Sequence, residues 1–469
     1  MRLSRVIHNS VALVSLDLLN KSIPLVVFPF LVRALGPQFY GKLGFAAAVS
    51  GFFGLLASPG FSTYATREAA KDPGKVSFLV KHVVGARVAF ALNAYALLLI
   101  FALTLAPKDS TTRLLIVLTG LSFLAGSVDL QWIFAARFRM WTIALRGAVG
   151  QIIYALLILT LIRRSTDAWV VPVASLVSAA VGAVLLWVPA RRDYAIPFPS
   201  FSPRLWSGFL SFCLIMGLAS MMSLIYDQID TVMLKYLRTD AEVGLYVASY
   251  RLMTMAMSFL PILGQVFFPL LSETAGRDEA QERQYMRWAG YAIVGLALPI
   301  ATGGFILAGP LTAFVLGSQY NGTALLFRWL MLTVVAGPLA SYFGGQLIPM
   351  GRERGYLISV VMGAIANVGL NFLLIPRYGA VAAAITTAIS QAIVAAMNYY
   401  FVRDLPRPRL SGAIAFSFAA TTLMALSLLA LRSILALHVV VMVLLGALLY
   451  FAAFFVSRRV WHLIHAKGL

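Results

Sequence analysis

The residues able to bind or move something are few, and they sit where such residues are costly. Asp17 and Lys21 stand four apart in one apolar run; Asp227 and Asp230 stand three apart in another. Either spacing places both groups on one helix face. Two carboxylates that close do not both ionise readily without a cation between them. Asp227 and Asp230, together with Asp17, are therefore the candidates for exchanging a proton or Na⁺. Two plainer readings stay open: Asp17 and Lys21 as a local ion pair, and Asp230 as an interfacial anchor.

Arg87, Arg251 and Arg328 are cations with no acid one turn away on their own run. An arginine stays charged and grips phosphate oxygens with two nitrogens. With Lys21 these arginines are the candidate hold on an anionic head group. Arg251 leads, because Arg87 and Arg328 lie near run ends, where a long side chain can snorkel to the interface. Asn367 and Asn371 are four apart and, with Gln391, could present amides to a sugar; interhelical glue is the competing role for each.

What must position these groups is a bilayer-spanning framework. Of the 469 residues 61% are hydrophobic and 12% charged, with a mean hydropathy of +0.87, against about 25% charged in soluble domains. Lipid has to be the solvent. Apolar runs long enough to cross fall near 11–35, 41–62, 83–105, 114–134, 145–162, 168–189 and 207–236, then near 243–270, 288–308, 323–348, 356–375, 379–401, 412–431 and 437–456. The expected fold is an all-α polytopic membrane protein of about fourteen spans, with twelve as the alternative count.

Charge sets orientation. Twenty-three Lys and Arg fall in the loops sharing a side with the termini and ten in the opposite loops, so both ends are expected in the cytoplasm. The net charge of +20 is spread singly along run ends rather than gathered on a soluble face, which argues against nucleic acid. No loop is long enough for a catalytic domain, which argues against a polytopic polymerase or ligase, and no enzyme is expected. No G-x-x-x-x-G-K-[ST] is present, so no ATP is expected to be hydrolysed. One cysteine, Cys213, and five histidines without ligand spacing predict neither a disulfide nor a metal. No cofactor is expected beyond an ion gradient.

The chain also repeats itself. Leu31-Val-Arg33-Ala-Leu35, a polar turn and Tyr40-Gly41 are echoed by Met233-Leu-Lys235-Tyr-Leu237, a polar turn and Val243-Gly244. On the span map the offset equals six crossings, which relates the copies by an axis along the membrane normal. The expected organisation is a six-helix lobe over 1–195, a second over 204–402, and two further helices with a basic tail over 410–469.

Three stretches carry a family likeness: Phe30-Leu-Val-Arg33-Ala-Leu-Gly36-Pro-Gln-Phe-Tyr40-Gly41; Asp227-Gln-Ile-Asp230-Thr-Val-Met233; and Val243-Gly-Leu-Tyr246-Val-Ala-Ser-Tyr250-Arg251 running on to Phe267-Phe-Pro269-Leu-Leu-Ser272-Glu273. With the turn Ile375-Pro376-Arg377-Tyr-Gly379, they resemble the polysaccharide-exporter family, the Wzx-type O-antigen flippases. That family belongs to the superfamily that also holds the lipid II flippase and the MATE exporters. The resemblance implies a two-lobe flippase for an undecaprenyl-pyrophosphate-linked oligosaccharide in a bacterial inner membrane. It would be driven by an ion gradient, with the pathway's polymerase or ligase as a candidate partner. It also places Arg33, Asp230, Arg251 and Glu273 at family-like positions, which adds Arg33 to the head-group set. A lipid II-type flippase and a MATE-like cation exporter are the alternatives, the latter disfavoured by as many intramembrane cations as acids.

Overall fold

The computed structural model describes the chain except Met1, Ala195, Phe259, residues 275–277, Pro349, 405–410, 435–436 and 467–469. It describes the helix backbone alone at 2–19, Lys21, 411, 413, 457–466 and several positions between 215 and 272. Among the described residues every regular element is helical. A bilayer enforces this, since a helix satisfies its own backbone groups where water cannot.

Among the described residues, eleven segments are long and apolar enough to cross a membrane. Two of the underlying helices are double-length and bend at a glycine. Arg2–Ala57 turns at Gly36, with φ 69°, just before Pro37, and Glu353–Val402 turns at Gly379, with φ 57°, three residues after Pro376. A positive φ strains any side chain, so glycine is what lets each helix fold back without a loop. The expected eighth span, 243–270, is instead broken into Asp240–Ala256 and Leu260–Thr274, neither long enough alone to cross. The fourteen-span count accordingly remains an expectation.

Packing follows membrane rather than aqueous rules. Ala380, Ala383, Ala384, Thr387 and Ala388 line the buried face of their helix, while Phe372 and Leu373 on the same double helix are about two-thirds exposed. Lipid tails are as apolar as leucine, so helices gain more by close approach of small residues than by hiding large ones.

The chain forms two compact units, Met1–Gly244 and Leu245–Leu469. The helix Pro203–Leu237, expected to open the second lobe, packs in the first unit, where Gly51 faces Leu224 and Gly60 abuts Met216. One core of the first unit gathers Phe61, Trp132, Phe134 and Phe209, with Phe61 edge-on to Phe90 and Phe209. In the second unit, Ala289, Ile293 and Tyr342 pack together, and Tyr342 donates to the Met286 carbonyl at 3.0 Å. The pair Ser411–Ile434 and Val439–Ala466 packs around Ala420, Met424, Leu428 and Tyr450.

Candidate functional site

Arg87 is the first of the expected head-group residues whose surroundings can be read closely. It lies at the start of Gly85–Thr104 and is only 5% exposed. Its Nη1 donates to the Asp129 carbonyl at 2.6 Å and its Nη2 to the Gly126 carbonyl at 2.5 Å. Those carbonyls belong to a break between the helices Ser122–Ser127 and Gln131–Ala136. A helix C-terminus carries partial negative charge and unpaired carbonyls, and the guanidinium answers both. Arg146 adds an ion pair to Asp129 at 2.6 Å, and the Trp187 indole donates to the Val128 carbonyl at 2.8 Å. Three helices thus hold one unwound stretch, and Arg87 is occupied in holding it.

Arg251 differs on every count. It sits in Asp240–Ala256, its side chain is exposed, and it makes no ion pair among the described residues. Arg328 is half-buried, its guanidinium 5.9 Å from the centre of the Phe305 ring. Arg33 and Glu273 are exposed. Asp230 is buried at 1% exposure, whereas Asp227, three residues earlier, is exposed. The two carboxylates therefore occupy different surroundings despite their spacing. The side chains of Asp17 and Lys21 lie outside the described residues.

Among the described residues, the expected site residues brought into direct contact are Asn367 and Asn371. The Asn371 amide donates to Asn367 Oδ1 at 3.0 Å, and the Thr386 hydroxyl donates to Asn371 Oδ1 at 2.5 Å. Both asparagines are fully buried, so the contact braces the two arms of the hairpin bent at Gly379. A sugar would reach them only if that brace opened. Gln391 is half-buried beside Gly337 of Thr323–Leu347. No group of His, Cys, Asp or Glu among the described residues could hold a metal ion.

A second charged constellation was not foreseen. Lys42 and Lys235 are each 8% exposed. Lys42 pairs with Asp109 at 2.9 Å and approaches Asp240 at 3.9 Å. Lys235 pairs with Asp240 and donates to the Thr112 hydroxyl at 3.3 Å. Thr112 in turn donates from its hydroxyl to Asp109 at 2.6 Å and from its backbone N–H at 2.9 Å. Burial works against the Asp109 charge, but the Thr112 and Lys42 hydrogen bonds and the Lys42 charge outweigh it and lower its pKa to about 2. The only signal in the sequence was indirect: each acid lies in a short polar turn, and no local spacing links those turns.

The sequence profile of the family described as "Polysaccharide biosynthesis protein" matches residues 6–275. A Shigella dysenteriae protein provisionally named an O-antigen transporter is 20% identical over 398 residues, covering 80% of this chain and 94% of that protein. Among solved structures, one described as "Lipid II flippase MurJ, inward closed conformation" shares the fold with a TM-score of 0.71 at 13% identity, over 96% of this chain and 99% of that one. An inward-facing multidrug transporter of the MATE family matches with a TM-score of 0.66 at 15% identity, over 84% and 95%.

Proposed function

This chain belongs to the polysaccharide biosynthesis protein family, and from that premise we propose that it is a flippase carrying a polyprenyl-pyrophosphate-linked oligosaccharide from the inner to the outer leaflet of a bacterial inner membrane. The O-antigen relative, aligned over nearly its whole length, supports the glycan, and the shared flippase fold supports the movement. Both termini would lie in the cytoplasm by the distribution of Lys and Arg. An ion gradient would drive the cycle, with Asp227 and Asp230 as the exchange groups. The pathway's polymerase or ligase would receive the product.

One observation carries the reading to residues. Arg251 is exposed and makes no ion pair among the described residues, although an ionisable side chain in a membrane costs at least ~2.5 kcal/mol by insertion scales. Such a group has to earn its place by meeting something charged, and a pyrophosphate suits a guanidinium. Arg328 and Arg33 are the secondary candidates. Arg87 adds nothing to this set while its guanidinium holds the two carbonyls. A lipid II-type substrate is the second reading, favoured by the near-complete overlap with the lipid II flippase fold.

The test is a clean deletion strain, with undecaprenyl-linked intermediates measured on each face of the membrane. Repeat units trapped on the cytoplasmic face, released by the wild-type gene and not by Arg251→Ala, are the expected outcome. Normal surface glycan in the deletion strain would refute the proposal. Trapped lipid II in place of the repeat unit would select the second reading.

A further inference from the structure

The charges at Lys42, Asp109, Lys235 and Asp240, the lysines buried and the aspartates half-buried, form a closed circuit. Lys235 donates to Thr112, Thr112 to Asp109, Lys42 bonds Asp109 and approaches Asp240, and Lys235 returns to Asp240. Two lysines meet two aspartates, so the circuit is neutral. Its members come from three places in the chain. Lys42 follows the Gly36 bend, Asp109 caps the helix Ser110–Gly120, and Lys235 and Asp240 flank the turn between Pro203–Leu237 and Asp240–Ala256. The Tyr236 hydroxyl adds a bond to the Leu105 carbonyl at 3.1 Å.

The circuit surrounds a backbone contact with no room for a side chain. A Cβ on Gly41 would fall 2.0 Å from the Asp240 carbonyl oxygen, and one on Gly244 would fall 1.8 Å from the Pro37 carbonyl oxygen. Gly41 and Gly244 are equivalent positions in the internal repeat. The two copies of the repeat therefore touch at their matching turns, and the charges that clamp them lie within a few residues of the contact.

We propose that this neutral circuit is a latch: it holds the turns at 36–41 and 237–241 together at the outer face and opens when those turns part, with Asp109 as its bolt. An ion pair with one partner buried suits a latch better than a permanent brace. Desolvation cancels much of its attraction, so it fixes geometry while adding little net stability. Water entering an opening seam would recover the solvation of the two buried lysines. The bolt comes from a third segment, so the 105–112 turn has to release before the other two separate. The outer placement rests on the orientation proposed above; the circuit itself does not.

The experiment uses the full chain with Cys213→Ser and a single reporter, Leu234→Cys, which is fully buried next to Lys235. An impermeant maleimide is added to intact cells. Labelling should be slow in the latched parent and rise about tenfold in Asp109→Asn or Lys235→Met, as expected when one partner's loss shifts a two-state equilibrium. The exchange Lys42→Asp with Asp109→Lys should restore protection, which a merely misfolded protein would not do. Thr239→Cys, exposed in the same turn, should label from outside in every background. Unchanged labelling of the Leu234 reporter in both single variants would overturn the latch. Labelling of the Thr239 reporter only in inside-out vesicles would overturn its outer placement. Glycan output is not the readout, so a failed latch leaves the flippase proposal standing, and a different substrate leaves the latch standing.

Discussion

Arg87 and Arg251 are the same side chain in opposite surroundings. Around Arg87 the first unit supplies two carbonyls at a helix break, within 2.6 Å of the guanidinium, and excludes solvent. Around Arg251 the second unit supplies no ion pair among the described residues and leaves the head exposed. A charge within a membrane is often taken as functional in itself. The contrast shows that the partner decides: a buried cation whose two terminal nitrogens are both held by carbonyls of the fold has little left to offer a ligand.

The largest effect should come from the occupied arginine. Arg87→Ala leaves two buried carbonyls unanswered, and hydrogen bonds to charged groups are worth ~1.5–3 kcal/mol each. Thermal unfolding in detergent should show a loss of about 3 kcal/mol, with poor membrane accumulation. A stable Arg87→Ala protein that had lost only transport would break the comparison. Arg251→Ala should do the reverse, reducing glycan export at least about tenfold while stability moves by less than ~0.5 kcal/mol, as at exposed sites. Arg251→Lys should recover part of the export, since the charge survives without the two-pronged grip. Asn371→Ala should cost ~1–2 kcal/mol of stability by orphaning Asn367 Oδ1 and removing the Thr386 bond across the buried hairpin. An export defect without that cost would restore the asparagines as sugar contacts.

The smallest effect concerns pH. The Asp109 pKa is lowered in the fold to about 2 from an ordinary value of 3.8. Its contribution is complete above the ordinary carboxylate range and is lost only as pH falls through about 2. Protection of the Leu234 reporter, read as its labelling relative to the exposed Thr239→Cys reference at each pH, should therefore stay flat from about pH 8 to pH 5. A rise in that relative labelling as the pH falls would mean that another group governs the clamp.

Much of the framework was legible from composition alone, because a bilayer leaves helices as almost the only choice for such a chain. The bends at Gly36 and Gly379 fell where the sequence shows short Gly-Pro and Pro-x-x-Gly turns. The break at 257–258 had one mark in the sequence, Pro261. Proline is ordinary in membrane helices, however, and the apolar run does not pause there, so the residue alone did not distinguish a kink from a break. The role of Arg87 was not legible: its acceptors lie 39 and 42 residues away, and backbone carbonyls leave no mark in a sequence. The four-charge circuit was hidden for the same reason. Lys42, Asp109 and Asp240 come from separate turns, and only the fold closes them. What the sequence did contain was the pairing of Gly41 with Gly244 as repeat equivalents, without any sign that they meet.

The hairpin bend at Gly379 has a practical corollary. Two crossings joined through one left-handed residue leave no slack at their tip, so a protease would find no extended segment to bind there. An epitope spliced in beside that glycine would have to pull both arms of the hairpin apart. Single-residue probes on exposed positions such as Tyr378 are therefore the reporters this end of the molecule will tolerate.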